Sequence, residues 1–105
     1  MALDIVKLPI NDQNLAKQVE IGLAEHAKLI EHARAKDNCP LLLSLTDYYA
    51  EREFSLTEVT FLLEELNLLQ GACDLENSFG IMLKNFIMLC IEAKNEGMGI
   101  ALLPD

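Results

Sequence analysis

The sequence predicts a mainly α fold, a compact four-helix domain with short strands at its N- and C-termini, and three observations lead there. Apolar residues recur at three- and four-residue steps through several long segments. The turn and stop residues fall between those segments. Helix-start chemistry stands where the segments begin. With 105 residues, a 51% hydrophobic fraction and a 24% charged fraction, the chain has the balance of an ordinary globular protein, and residues 1–105 are expected to form one domain around a single core.

Residues 3–8, LDIVKL, are short, partly β-branched and closed by Pro9, as a strand would be. From about 12 to 36, Leu15, Val19, Gly22, Leu23, His26, Leu29, Ile30 and Ala33 lie on one face of a single long helix. Asp37, Asn38 and the pre-proline Cys39 end it, and Pro40 suits the first turn of a second helix, PLLLSLTDYYA, although a leucine run also fits a buried strand. Ser55 and Glu58 form a capping box that opens a third helix over about 56–70. Its inward stripe is Leu56, Val59, Leu62, Leu63, Leu66 and Leu69, and Gly71 is its stop. The fourth helix, about 74–95, starts near Asp74, presents Leu75, Phe79, Met82, Leu83, Phe86, Leu89, Cys90 and Ala93, and ends at Gly97 and Gly99. The tail GIALLPD has strand character. Pairing it with LDIVKL would build a small sheet from the two termini and make the fold α+β.

Composition excludes several function classes. The net charge of −9 sits mostly between residues 46 and 76, where Asp47, Glu51, Glu53, Glu58, Glu64, Glu65, Asp74 and Glu76 face Arg52 alone. Such a field repels nucleic-acid phosphates and anionic lipid, and it attracts basic proteins. The most apolar run, IMLKNFIMLCI, contains Lys84 and Asn85 and is far shorter than the ~20 residues of a membrane span. Three widely spaced cysteines, Cys39, Cys73 and Cys90, fit neither a disulfide framework nor a zinc knuckle and point to the reducing cytoplasm. The N-terminus lacks the continuous apolar core of a secretion signal.

Only one stretch resembles a chemical motif. DYYAEREFSLTE, residues 47–58, begins with Asp and ends with Glu as an EF-hand calcium loop does. Tyr49 occupies a ligand position and Arg52 the position where the loop needs glycine, so ligand count and turn sterics both oppose calcium. No metal or other cofactor is expected. His26 is either a core imidazole bonded to a backbone carbonyl, the favoured reading, or the general base of a small enzyme. His32 falls on the polar face, about 120° from His26, and the two cannot form an i, i+4 metal pair. Cys90 is expected to pack as a small hydrophobe, while Cys39 and Cys73 stand near helix starts that favour a thiolate. Of Tyr48 and Tyr49, one should pack and the other reach solvent.

Phe61 and Leu68, seven residues apart on the side of the third helix opposite its main stripe, are edged by Glu58, Glu64 and Glu65. Ile81 and Met88 repeat the spacing on the fourth helix. These second stripes are either buried or meet another chain. The functional expectation is a non-enzymatic, acidic protein-interaction module, of an inhibitor or immunity type, that binds a basic partner through Asp47, Glu51, Glu53, Glu58, Phe61, Glu64, Glu65 and Leu68. The alternatives are a self-associating homodimeric module and a small enzyme using His26.

Overall fold

The computed structural model describes residues 3–36, 38–71 and 77–104. Among them the chain runs β1 (Leu3–Lys7), α1 (Asp12–Leu15), β2 (Val19–Ile21), α2 (Leu23–Lys36), α3 (Pro40–Leu43), β3 (Arg52–Phe54), α4 (Leu56–Gln70), α5 (Ser78–Asn95) and β4 (Ile100–Pro104). This corrects the expected four-helix domain with short terminal strands: the fold is α+β, and the described residues form five helices beside a four-stranded antiparallel sheet of order β2-β1-β4-β3.

The two termini do pair. Leu3 lies opposite Pro104 and Lys7 opposite Ile100, which makes β1 and β4 the central strands. The two edge strands come from segments expected to be helix or turn. In the first, Asn11 caps a single turn by accepting from the Asn14 amide at 2.8 Å, and Val19, Glu20 and Ile21 then pair with Ile5, Asp4 and Leu3. The apolar spacing of residues 15–23 fits a helix, but β-branched Val19 and Ile21 alternating with Glu20 fit an edge strand equally well, and the β1 partner decides between them. Leu23, placed in the inward stripe by that spacing, is 59% exposed. The second edge strand, β3, lies inside the 47–58 stretch and pairs with β4, while the expected second helix shrinks to the four residues of α3.

Side chains alternate across a strand. Leu3, Ile5, Ile21, Phe54, Ile100 and Leu102 therefore share one sheet face and pack on Leu29 and Ala33 of α2, Leu62 and Leu66 of α4, and Phe79, Leu83 and Phe86 of α5. Each fully buried Leu, Ile or Phe contributes about 1.5–3 kcal/mol. Lys7 extends the same strand face beyond the apolar set, and its Nζ donates to Glu96 at 2.7 Å and lies 3.4 Å from Glu92, tying β1 to the end of α5.

The helix ends follow the local sequence. The α4 capping box forms in both directions: Ser55 N donates to Glu58 at 3.0 Å, and Glu58 N to the Ser55 hydroxyl at 3.2 Å. Asn77 caps α5 by accepting from Gly80 N; the expected start near Asp74 lies outside the described residues. At the other end of α5, Gly97 takes a φ of 70°, and the amides of Gly97 and Met98 donate back to Lys94 and Ala93 at 3.1 and 2.8 Å, a Schellman stop. No helix among the described residues is long and apolar enough to cross a membrane.

Candidate partner-docking site

Helix α4 presents two opposite faces. Val59, Leu62, Leu66 and Leu69 are buried against the core, whereas Phe61 and Leu68 are 54% and 52% exposed. The helical period requires this division: residues seven apart return to nearly the same direction, and a helix in the outer layer buries only one side. The exposed pair borders a groove of about 560 Å³ lined by Glu58, Phe61, Glu64, Glu65 and Leu68 of α4, with Asn38, Pro40 and Leu41 as its opposite wall.

Five of the eight sequence-derived residues thus share one groove. Glu51 and Glu53 instead line a separate recess with Ile10, Ala101 and Leu103 at the β3–β4 side of the sheet. Asp47 turns on its own backbone and accepts from the Tyr49 amide at 2.9 Å. The described carboxylates of the acidic segment therefore do not share one surface, and Asp74 and Glu76 lie outside the described residues.

The carboxylates also differ in what already holds them. Glu65 is buried, and its two oxygens accept from the amides of Leu42 at 3.0 Å and Leu41 at 3.2 Å, so an α4 side chain satisfies the first-turn donors of α3. Glu58 is engaged in the capping box and stands 3.9 Å from Arg52, whose guanidinium carbon lies 4.6 Å from the centre of the Phe54 ring. Glu64 is exposed and makes no side-chain hydrogen bond or ion pair among the described residues. The wall at Asn38, Pro40 and Leu41 was absent from the sequence expectation. Nothing at those positions signals proximity to α4, which lies many residues further along the chain.

The other candidates divide between packed and open environments, and His26 lines a recess of about 690 Å³ with Ile30, Glu31, Arg34 and Thr46. The 47–58 stretch is a turn, β3 and the α4 cap, and among the described residues no group of three or more His, Cys, Asp or Glu side chains converges as metal ligands. His26 is 5% exposed; its Nε2–H donates to the Leu45 carbonyl at 2.6 Å, and its ring meets Tyr48 edge-on at 4.8 Å. His32, expected on the polar face, is half-buried and stacks on Phe79 at 5.1 Å. Tyr48 is buried with its hydroxyl donating to Ile21 O at 2.9 Å, and burial pushes its pKa up, while Tyr49 is 59% exposed.

Cys90 is fully buried, and desolvation pushes its thiol up to about 12. Cys39 runs against the helix-start expectation: burial and the neighbouring Glu65 raise its pKa despite Lys36, and the short α3 does not reverse this. Cys73 lies outside the described residues. On α5, Ile81 and Met88 are each 52% exposed and line two separate recesses beside β2, with Glu20 and Asn85 in both.

In comparisons with known proteins, no family model, no curated protein and no solved structure matches this chain.

Proposed function

We propose that the protein is a non-enzymatic interaction module whose α4 groove binds a basic protein partner. The supporting observation is the exposed Phe61–Leu68 pair bordering the same groove as Glu58, Glu64 and Glu65. Apolar anchors supply contact energy once water is excluded, and surrounding charges select the partner and speed its approach. Asp47, Glu51 and Glu53 lie off the groove and contribute through the field of a chain with a net charge of −9. An inhibitor or immunity role suits this layout, because such a face can cover the cationic cleft of an enzyme that acts on a polyanion. The same charge disfavours nucleic acid as the ligand. Two buried free thiols, Cys39 and Cys90, fit a reducing cytoplasm.

We read His26 as a packing residue, because one ring nitrogen is held by Leu45 O and the ring is wedged against Tyr48; its place in a recess with Glu31 and Arg34 is what supports the enzyme alternative. The test compares wild type with a Phe61→Asp, Leu68→Asp double variant in affinity capture from the source cell, followed by native mass spectrometry. Both positions are exposed, so circular dichroism should show an unchanged fold. A basic protein should be captured by the wild type and lost from the variant, and Glu58→Lys with Glu64→Lys should slow its association and flatten the salt dependence. Capture of the same partner at the same rate by every variant would refute the proposal.

A further inference from the structure

We propose that the four-residue hole at the centre of this groove, bounded by Phe61, Glu64, Glu65 and Leu68, receives one arginine from a helix of the partner laid along α4. This rests on the docking proposal above and specifies the occupant. The four residues stand at i, i+3, i+4 and i+7, the spacing of the hole that accepts a single side chain when two helices pack. Its apolar ends, Phe61 and Leu68, are separated by about 10.5 Å along the axis, a two-turn repeat that another helix matches. A strand repeats same-face residues every ~6.8 Å and falls out of step.

The flanks of the hole decide what enters. Glu64 and Glu65 stand on either side of the line joining Phe61 to Leu68, and both line the groove. An apolar side chain seated there would take the Glu64 carboxylate out of water with no partner, a costly outcome. A basic side chain lays its methylenes against Phe61 and Leu68 and brings its charge to the carboxylates. Arginine fits better than lysine: its planar guanidinium can stack on the Phe61 ring while forking to Glu64. Glu65 cannot swing to follow an incoming charge, because the Leu41 and Leu42 amides hold both of its oxygens; it supplies a fixed negative wall. Glu64 has no such tether and is the carboxylate that closes on the guanidinium.

The same geometry disfavours a second copy of the chain. Two α4 helices related by a two-fold axis through this hole would set Glu64 and Glu65 against their symmetry mates, where like charges repel.

The test uses the full chain labelled with ¹⁵N and a helix-stabilised peptide carrying one arginine, with leucines three residues before and four residues after it, alongside Arg→Lys, Arg→Ala and Arg→Glu forms. Amide shifts should concentrate on residues 61–68, with affinity falling in the order Arg, Lys, Ala, Glu and at least tenfold between the first and last, about 1.4 kcal/mol. Glu64→Arg should invert the preference, so that the Glu peptide binds tighter than the Arg peptide. Phe61→Leu should weaken the Arg peptide more than the Ala peptide. Glu65 is left intact because it also holds α3. Four peptides binding α4 equally would overturn the arginine hole and leave the docking face standing. Absence of shifts on α4 with every peptide would overturn the helical occupant, while the capture experiment judges the face separately. Shifts at residues 61–68 that grow with protein concentration alone would assign the hole to a second copy and overturn the inference.

Discussion

Glu64 and Glu65 are adjacent, chemically identical and on the same helix, yet the structure gives them opposite consequences for stability. Glu65→Ala removes both acceptors from the Leu41 and Leu42 amides, and Leu42 is fully buried, so water cannot replace the lost partner there. A stranded buried donor costs about 1–3 kcal/mol, and the half-buried Leu41 amide less, so the expected loss is about 2–4 kcal/mol. For a domain of this size each 1 kcal/mol lowers Tm by about 4–5 °C, which puts the variant about 8–20 °C below wild type. Glu65→Gln keeps one acceptor and should lose less. Glu64→Ala touches no described hydrogen bond or ion pair and should stay within about 0.5 kcal/mol. Urea unfolding followed by far-ultraviolet circular dichroism measures all three, and amide exchange at Leu41 and Leu42 should accelerate selectively in Glu65→Ala. If Glu65→Ala and Glu64→Ala unfold at the same urea concentration, the cross-helix cap is not a stabilising element and the reasoning fails.

Three further outcomes are expected. Ser55→Ala removes the acceptor for Glu58 N from the α4 capping box and should cost about 1 kcal/mol, read from the same urea curves. Gly99→Ala should cost about 2 kcal/mol or more, because the added Cβ would overlap the Phe54 carbonyl oxygen, a backbone atom of the paired strand β3 that cannot rotate away as a side chain could; loss of the native amide spectrum around β3 is the readout. Alkaline pH should destabilise the protein through every described group whose pKa the fold raises, namely Cys39, Tyr48, Cys90 and Lys7. The unfolded Cys90 thiol ionises from about pH 8.5, whereas the folded one resists until about 12, so stability falls across that window by up to ~1.4 kcal/mol per pH unit. Lys7, whose pKa is raised mainly by its hydrogen bond to Glu96, stabilises fully below its unfolded value near 10.5 and loses that contribution as pH rises through its folded value. Cys90→Ala should reduce but not abolish the loss that begins near pH 8.5, since Cys39 and Tyr48 remain, and an unchanged curve would contradict the burial argument.

The features legible in the sequence are those whose cause is local. The Ser55–Glu58 box, the α4 span to Gln70 and the stop at Gly97 depend on residues within a few positions of each other, and backbone donors and φ preferences settle them before any tertiary contact exists. The opposing faces of α4 are equally local, since a period of about 3.6 places Phe61 and Leu68 away from Leu62 and Leu66. Strand β2 shows the limit: Val19–Ile21 carries a spacing that serves helix and strand alike, and the choice belongs to β1, which is distant in sequence. Strand β3 likewise exists because β4 offers it a ladder.

The amino-acid sequence by itself determined α4 with its Ser55–Glu58 box, the α5 stop at Gly97, the acidic surplus and the carboxylate-edged apolar stripe, because periodicity, capping and charge need no knowledge of what lies across the fold. Tertiary structure alone decided that the terminal strands acquire two more neighbours, that Glu65 is consumed by α3 while Glu64 stays in water, and that Asn38, Pro40 and Leu41 turn an exposed stripe into a groove. The physical reason is that hydrogen-bond partners and desolvation are set by proximity in space, and a buried donor takes whichever acceptor the packing brings to it.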